Sequence, residues 1–502
     1  MSAPGSLAAG SGAAAARAPD ATTPGTAGAA AARAGLAFVA IGLAGEIALH
    51  VIEPDLGMTW GYAHLGRYAA FPVLALALAA ALPAAGARIA RDPRWRRPPL
   101  APSWPQAIAA GTLVWVALAV IGWAVPAPAL TLDSAYFRKA VANAATPADR
   151  WLDAVAAMRL AAHLRPAAMS IEAFVIVANA ALSTAALLAL VGCARRLARD
   201  RAEQLVVAAL AWTAFGTMQL AVGYVDVYPF ALAGTALFFW TALRALADEA
   251  APAWAAAIAA LGPFVYLGIV LLAPSALLLL ALLAGAPGRR RSVLAAGVVA
   301  VVVAGVATVP LRGLPFDWIA FARAAHEGSA YQAGYSPTSS LLPVWYLTSG
   351  RHAAEVASTI VLVDPVGALL VAGAGGALLV SRPRALLEAP VALLVAFVAG
   401  WLAYVATMDA VFGAFADWDL FSYGAAGTSL LGAALLLRLG RDRRRALGAT
   451  AGLALAAGIV HLLARLHALP VGAERHVRES PLHVAPAAAP SAAEPPPPAR
   501  TP

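Results

Sequence analysis

Aspartates stand in distinctive short segments at several places along the chain. Asp133 lies in the sequence Leu-Thr-Leu-Asp-Ser, Asp226 lies in Gly-Tyr-Val-Asp-Val-Tyr-Pro, and Asp417 and Asp419 form Asp-Trp-Asp. An ionised carboxylate takes a proton from a hydroxyl as a general base, or it holds a cation beside a phosphate. Because the ordinary pKa of Asp is about 3.9, these side chains are charged near neutral pH and suit either role.

Basic side chains near these aspartates suit a substrate that carries a phosphate. Arg138 and Lys139 follow Asp133 closely, and Arg351 lies in a second long loop that also contains the pair His326-Glu327. A guanidinium group binds phosphate oxygens through two parallel hydrogen bonds. We therefore expect Arg138, Lys139 and Arg351 to be the phosphate-binding candidates.

Each of these acidic groups also has a purely structural interpretation. Asp226 could cap the helix that follows it, and Asp133 could be a solvated loop residue. The pair Asp417 and Asp419 could cap a late helix. In that case the tryptophan between them would be an interfacial anchor. The His326-Glu327 pair could simply be solvated. Glu46, inside the first predicted span, is expected to pair with another helix or to snorkel with His50.

The composition shows what kind of elements must position these groups. The chain has 502 residues, of which 61% are hydrophobic and 12% are charged, and its mean hydropathy is +0.76. An ordinary soluble domain is about 45–50% apolar and about one quarter charged, so a soluble protein is excluded. The net charge of +9 does not indicate nucleic-acid binding, because basic residues of membrane proteins gather in cytoplasmic loops. The single cysteine, Cys193, excludes a disulfide within the chain and a Cys-based zinc site.

Apolar segments long enough to cross a bilayer as helices recur from residue 35 onward. We predict an all-α polytopic membrane protein with about 13 transmembrane helices, in a domain over 34–469. A disordered cytoplasmic head over 1–33 precedes it, and a disordered Pro/Ala-rich tail over 470–502 follows it. The predicted spans are 35–53, 68–87, 106–125, 170–192, 204–222, 227–246, 253–268, 270–286, 292–311, 357–380, 389–408, 420–437 and 448–468.

The positions of the basic residues predict which connections are cytoplasmic. Of the 35 Lys and Arg residues, 22 fall in the head and in alternate connections, most of which are short. The positive-inside rule therefore places the N-terminus in the cytoplasm and the tail outside. This orientation puts two long loops, over 127–169 and 312–356, on the extracytoplasmic side. The first of them ends in an amphipathic stretch, 149–163, which we expect to lie along the interface. All the candidate acidic residues then lie at that same face.

At these residues the sequence resembles the GT-C superfamily of integral-membrane glycosyltransferases, including its protein O-mannosyltransferase-like branch. The resemblance covers about residues 105–440 and extends to bacterial members. Asp133 with the 149–163 stretch is similar to the catalytic first outer loop of that superfamily. The segments around Asp226 and Asp417-Trp-Asp-Leu-Phe-Ser422 are similar to segments of bacterial members. Ser340-Leu-Leu-Pro-Val-Trp-Tyr-Leu347 occupies the place of a loop helix near the carrier lipid.

The resemblance implies transfer of a sugar from a polyprenyl-phosphate carrier to a glycan, lipid or protein acceptor at the outer face of the bacterial inner membrane. Asp133 would be the catalytic base, with inversion at the anomeric carbon. No cofactor is assigned; a divalent cation stays open, because Ser134 stands where the superfamily often has a second acidic residue. No nucleic acid is expected as a partner. The implied substrate-binding residues are Arg138, Lys139, Asp226, Tyr228, His326, Glu327, Arg351, Asp417 and Asp419.

The main alternative is a multi-pass transporter or a flippase of cell-envelope lipid intermediates. A transporter uses charged residues inside its spans, along a path near the bilayer midplane. By this prediction only Glu46, with His50 or His461, lies within a span, whereas the other acidic groups gather at one face. The sequence therefore favours chemistry at the outer surface over translocation.

Overall fold

The computed structural model describes residues 26–52, 70–124, 164–222, 228–307, 347–407 and 421–466, and within these ranges the regular structure is helical. Short 3-10 turns at Pro93–Arg96, Leu267–Leu272 and Pro383–Leu387 link some of the helices. The α-helices are α1 (Thr26–Ile52), α2 (Ala70–Ile89), α3 (Trp104–Ala124), α4 (Ile171–Leu197), α5 (Arg201–Thr213), α6 (Phe215–Ala221), α7 (Tyr228–Leu246), α8 (Pro252–Val265), α9 (Ala273–Ala284), α10 (Arg290–Ala307), α11 (Gly350–Val363), α12 (Pro365–Ser381), α13 (Ala389–Thr407), α14 (Gly424–Leu439) and α15 (Arg444–Leu466).

Several helices begin at a side chain that caps the first turn. Ser170 Oγ accepts a hydrogen bond from Ala173 N at 3.2 Å before α4. The Asp200 carboxylate accepts one from Glu203 N at 3.0 Å before α5. Such caps satisfy N–H groups that have no partner within the helix, which matters most in an apolar environment.

The prediction of a polytopic membrane protein is confirmed. Within the described residues, eight helices are long and apolar enough to cross a membrane, or up to ten if each of two bent helix pairs is one span. Three shorter apolar helices coincide with the predicted spans near 253–268, 270–286 and 420–437. The count of thirteen stays a prediction.

Three predicted boundaries differ from the structure. The single span predicted over 357–380 is two helices, α11 and α12, and the chain bends by 105° between them. Likewise the span over 204–222 consists of α5 and α6, with a bend of 68° between them. Helix α1 begins at Thr26, within the predicted head, because the run Ala29–Ala32 favours helix and Ala32 is buried.

The bundle is centred on α14, which packs against α12, α13 and α5. Every residue of α14 except Arg438 is buried. By contrast, α3 and α10 expose large apolar side chains such as Leu113 (72% exposed) and Val301 (74% exposed). An exposed apolar face of this kind is expected where a helix contacts lipid.

Helices α2 and α15 approach each other closely through glycines. A Cβ added at Gly448 would lie on the backbone of Gly86, and one added at Gly452 would lie on the backbone of Leu82. Gly448 and Gly452 are spaced as in the small-xxx-small pattern of transmembrane helix contacts. Because glycine has no side chain, the backbones of α2 and α15 can touch at these positions.

One end of the bundle, which we name the arginine-rich end, is held together by ion pairs between connections. Arg444 pairs with Asp200 at 2.7 Å, and Arg382 pairs with Asp442 at 2.6 Å. The other ion pairs are Arg438 with Glu388 (2.7 Å), Arg289 with Asp248, and Arg196 with Glu249. The Arg443 guanidinium also donates a hydrogen bond to the Ala29 carbonyl (3.2 Å). These contacts agree with the predicted grouping of the basic connections on one side.

Candidate functional site

The end of the bundle opposite the arginine-rich end, here named the distal end, carries the helix termini that lead into the segments with the predicted site residues. Helix α7 begins there, α13 ends there, and α11 begins there. Most of the predicted site residues themselves lie outside the described residues, as do the 149–163 stretch and the tail over 470–502. These site residues are Asp133, Arg138, Lys139, Asp226, His326, Glu327, Asp417 and Asp419.

Tyr228 is the predicted site residue whose surroundings are best defined. It is the first residue of α7, directly after the segment that contains Asp226, and only 8% of it is exposed. Its ring packs edge-on against Tyr266 at 5.1 Å between centroids, and Tyr266 packs in the same way against Tyr423 at 5.7 Å. The Tyr423 hydroxyl donates to the Gly268 carbonyl at 3.0 Å. We name these three rings the tyrosine row.

The tyrosine row connects the starts of two helices, each of which follows one of the predicted aspartate segments in the sequence. Tyr228 follows the segment 223–227 directly, and Tyr423 comes shortly after the segment 408–420, which contains Asp417 and Asp419. The starts of α7 and α14 are therefore neighbours at the distal end. This arrangement brings together the helix starts that follow the Asp226 segment and the Asp417 and Asp419 segment in the sequence.

A second contact joins α6, which precedes the Asp226 segment, to the start of α14. A Cβ added at Gly216, in α6, would lie 2.6 Å from the Ser422 carbonyl oxygen, so the backbones of α6 and the start of α14 touch. Trp401 Nε1 donates to the Phe421 carbonyl at 2.9 Å and so holds the residues just before α14 against α13. Only glycine at position 216 allows this close approach.

Arg351 lies in the first turn of α11, and its neighbour His352 places that turn. His352 is buried and its Nε2 lies 2.7 Å from the Ala406 carbonyl, at the end of α13. Because a carbonyl only accepts, Nε2 is the donor. The start of α11 is thereby held beside the point where the chain enters the 408–420 segment. The structure thus brings together Tyr228, the start of α14, the end of α13 and the start of α11 with the backbone of Arg351.

A buried carboxylate that the sequence interpretation missed lies at the bend between α11 and α12. Asp364 is 2% exposed, and Oδ1 accepts from Gly367 N at 2.8 Å as the cap of α12. Its Oδ2 accepts from the hydroxyls of Thr428 (2.5 Å) and Ser429 (2.6 Å) on α14. The signal for it is the dipeptide Asp364-Pro365, because Asp before a Pro at the first helical position marks a helix start.

Glu46 and His461 form a second buried polar contact at the same level. Glu46 Oε1 of α1 lies 3.2 Å from His461 Nδ1 of α15, and the two side chains are 11% and 1% exposed. His461 Nε2 lies 3.0 Å from the Leu362 carbonyl, in the last turn of α11. The ring of Phe215 packs edge-on against the imidazole at 5.9 Å. The predicted pairing of Glu46 with another helix is confirmed.

Both polar contacts lie well beyond the middle of the bundle. At a rise of 1.5 Å per residue, Asp364 lies about 27 Å along α12 from Arg382, and His461 lies about 25 Å along α15 from Arg444. The hydrocarbon core of a bilayer is about 30 Å thick. With the arginines at one boundary, these carboxylates therefore lie close to the other boundary, at the distal end.

The described residues contain no group of three or more His, Cys, Asp or Glu side chains that could hold a metal ion.

No family model matches the chain, and no curated protein and no solved structure matches it either.

Proposed function

We propose that the chain is a membrane glycosyltransferase that moves a sugar from a polyprenyl-phosphate carrier to an acceptor at the extracytoplasmic face. The observation that supports this proposal best is the convergence at the distal end. There the tyrosine row and the contact of Gly216 with Ser422 bring together α6 and the starts of α7 and α14, the helices that border the Asp226 segment and the Asp417 and Asp419 segment in the sequence. The His352 hydrogen bond to Ala406 adds the start of α11, with Arg351, to the same region.

In the proposed reaction Asp133 takes the proton of an acceptor hydroxyl while its oxygen attacks the anomeric carbon. The bond from that carbon to the phosphate oxygen breaks, and polyprenyl phosphate leaves with the electron pair. Attack from the face opposite the leaving group inverts the anomeric configuration. Arg138 or Arg351 would bind the phosphate, and Asp226 and Asp419 would orient the sugar or the acceptor. Holding both substrates in place accounts for much of the acceleration.

The second candidate function is transport or flipping of a cell-envelope lipid intermediate. The buried Glu46–His461 pair and the buried Asp364 favour it, because ionisable groups inside spans often mark a substrate or proton path. We place it second because these groups lie about 25 to 27 Å from the arginine-rich end by helix rise, rather than at the midplane where transporter sites lie.

The test supplies the purified protein, in bilayer nanodiscs, with polyprenyl-phosphate sugars labelled in the sugar and with delipidated cell-envelope extract as acceptor. The proposal predicts loss of label from the carrier lipid. Asp133→Asn should abolish that loss, because an amide cannot take the hydroxyl proton. The matched control is Asp442→Asn at the arginine-rich end, which should keep the wild-type rate. Transfer by Asp133→Asn at the wild-type rate would contradict the assigned base.

Vesicles containing the same protein separate the two candidate functions. Movement of intact labelled lipid between leaflets, with the sugar still attached and unaffected by Asp133→Asn, would support the transporter or flippase instead.

A further inference from the structure

A groove lies at the arginine-rich end, with α2 and α5 as its walls and α15 as its floor. Both wall helices pack against α15, but within the described residues they have little direct contact with each other. The cavity between them has a volume of about 110 Å³. Ala85 of α2 and Leu205 of α5 line it, and both are exposed at the surface of the bundle. The groove is therefore open toward the surrounding bilayer.

The groove extends along the helices over about the depth of one leaflet. Its lining runs from Asp200 to Leu210 along α5 and from Arg444 to Leu455 along α15. At a rise of 1.5 Å per residue each stretch is about 15 Å long, which is half of the hydrocarbon thickness of about 30 Å. A compact ligand occupies about 300–1,000 Å³, and a helix is about 10 Å across. A groove this narrow therefore fits a single hydrocarbon chain better than either of them.

The lining is apolar along its length and charged at its mouth. Apart from Asp200, Glu203 and Arg444, every lining residue is Leu, Ile, Val, Ala or Gly. The two carboxylates are buried, since Asp200 caps α5 and pairs with Arg444, and Glu203 Oε2 accepts from Arg199 N at 2.8 Å. The Arg444 side chain is 40% exposed, and its described bond to Asp200 uses only Nη1. Because arginine has five N–H donors, Arg444 can also bind an anionic group at the mouth.

Hydrogen bonds hold the connection that follows α2 against the start of α5. Arg201 N donates to the Arg97 carbonyl at 3.0 Å, and Arg201 Nε donates to the Pro98 carbonyl at 3.3 Å. Gln204 accepts from Leu100 N at 2.7 Å and donates to the Leu100 carbonyl at 3.3 Å. This connection carries four arginines over 91–97, so these bonds keep a run of positive charge beside the mouth of the groove.

The exposed charge around the mouth is positive. Asp92, in the connection after α2, accepts from Arg94 N at 2.8 Å, and Asp442, in the connection before α15, is paired with Arg382. Within the described residues no ion pair involves the exposed arginines of these two connections and of the end of α2, which are Arg88, Arg91, Arg94, Arg96, Arg97, Arg441 and Arg445. An anionic group is therefore attracted to this mouth.

We propose that the groove binds an anionic phospholipid from the leaflet at the arginine-rich end. One acyl chain lies on α15 between α2 and α5, and the phosphate lies at the mouth, near Arg444 and the exposed arginines. A basic pocket between membrane helices is a recurring way to bind an anionic head group. Because the groove and the distal end are at opposite ends of the bundle, this proposal does not depend on the glycosyltransferase proposal.

The test uses the purified full-length protein in phosphatidylcholine nanodiscs that contain a trace of photoactivatable lipid. The two probes are phosphatidylglycerol and phosphatidylcholine with the same diazirine-bearing acyl chain, and mass spectrometry locates the cross-links. We expect several-fold more labelling of the groove by the phosphatidylglycerol probe, with an excess that falls as salt is added. Equal labelling of α5 and α15 by the two probes would overturn the proposal. Labelling by phosphatidylglycerol that is as strong on α3 and α10 would overturn it as well.

Ala85→Phe tests the acyl-chain part of the site. Ala84 and Ala85 are neighbours on α2 and both are exposed, but only Ala85 lines the groove. A phenyl ring at position 85 would occupy the groove, so we expect labelling of α5 and α15 by the phosphatidylglycerol probe to fall several-fold. Ala84→Phe is the matched control and should keep the wild-type labelling. Equal labelling of α5 and α15 in the two variants would overturn the proposal.

Arg88→Gln tests the head-group part and leaves the lining intact, so it serves even if Ala85→Phe fails to fold. We expect the excess of phosphatidylglycerol over phosphatidylcholine labelling to fall by about fivefold, the usual effect of one basic residue near anionic lipid. Arg290→Gln, the same change at the exposed start of α10, should keep the wild-type excess. Thermal unfolding of each variant checks that it is folded. An unchanged excess in folded Arg88→Gln protein would overturn the proposal.

Discussion

Asp364 shows how a carboxylate can be held within an apolar bundle by neutral donors. Its oxygens accept from one backbone N–H and two hydroxyls, all on elements that are themselves buried. A buried polar group is tolerated when it is hydrogen-bonded, and it is costly when its partners are removed. Removing the Asp364 carboxylate would therefore take an acceptor away from each of these three buried donors.

We expect Asp364→Ala to destabilise the fold by on the order of 3 kcal/mol, because it leaves the N-terminus of α12 uncapped, removes the acceptor of the Ser429 hydroxyl and leaves Thr428 only its longer bond to the Ala425 carbonyl. Asp364→Asn keeps the cap and, after hydroxyl rotation, the other contacts, so it should cost on the order of 1 kcal/mol. Unfolding in a mild detergent, followed by loss of helical circular dichroism, measures both. Thr407→Val is the control, since its exposed hydroxyl donates only to Ala403 among the contacts described. Equal effects of Asp364→Ala and Thr407→Val would contradict this account.

At the scale of elements, two bends and one glycine contact shape the bundle. The bends at Ala214 and Asp364 place α6 and α11 at the distal end, where they meet the start of α14 and the end of α13. The contact of Gly86 with Gly448 brings α2 and α15 together at backbone distance. Helix α15 also carries His461, so the position of α2 and the polar contact at Glu46 are coupled through one helix.

Replacing a glycine at that contact should separate the helices. A Cβ in Gly448→Ala would lie on the Gly86 backbone, so we expect destabilisation of about 1 to 3 kcal/mol, the usual cost of overpacking. Gly297→Ala on α10 is the matched control, because a Cβ there meets nothing within 4 Å. It should be neutral or stabilising by about 0.5–1 kcal/mol, since Gly disfavours helix. Thermal unfolding of both variants in the same detergent makes the comparison, and equal stabilities would show that α2 and α15 do not pack as described.

At the scale of the whole molecule, charge divides the bundle into two different ends. The described ion pairs join connections at the arginine-rich end, whereas the distal end holds the tyrosine row and the buried groups Asp364, Glu46 and His461. Because translocation of arginine-rich short loops is disfavoured, we expect the arginine-rich end to face the cytoplasm.

Single cysteines in Cys193→Ala protein test this orientation. A cysteine at Ala353, exposed on α11, should react with a membrane-impermeant maleimide in intact spheroplasts. A cysteine at Arg384, at the arginine-rich end, should react only after the membrane is permeabilised. The reverse pattern would invert the topology and would contradict sugar transfer at the extracytoplasmic face.

The sequence alone determined the class of the fold and the grouping of the basic connections. Both follow from local composition, since the length of an apolar segment and the number of arginines beside it do not depend on which helices become neighbours. It also indicated that Glu46 needs a partner, because an isolated carboxylate in a span is costly. The sequence did not identify that partner, because His461 lies more than four hundred residues away along the chain.

Only the tertiary structure decided the angle of the bend at Asp364, the donors on α14, and the tyrosine row. The dipeptide Asp364-Pro365 marks a helix start in the sequence, but the hydropathy of 357–380 is that of one span, and the Thr428 and Ser429 hydroxyls that bond the carboxylate come from a distant helix. Likewise Tyr228, Tyr266 and Tyr423 are separated along the chain and meet only because α7, α8 and α14 converge. Local sequence sets which segments enter the membrane, whereas contacts between distant helices set which polar groups are buried together.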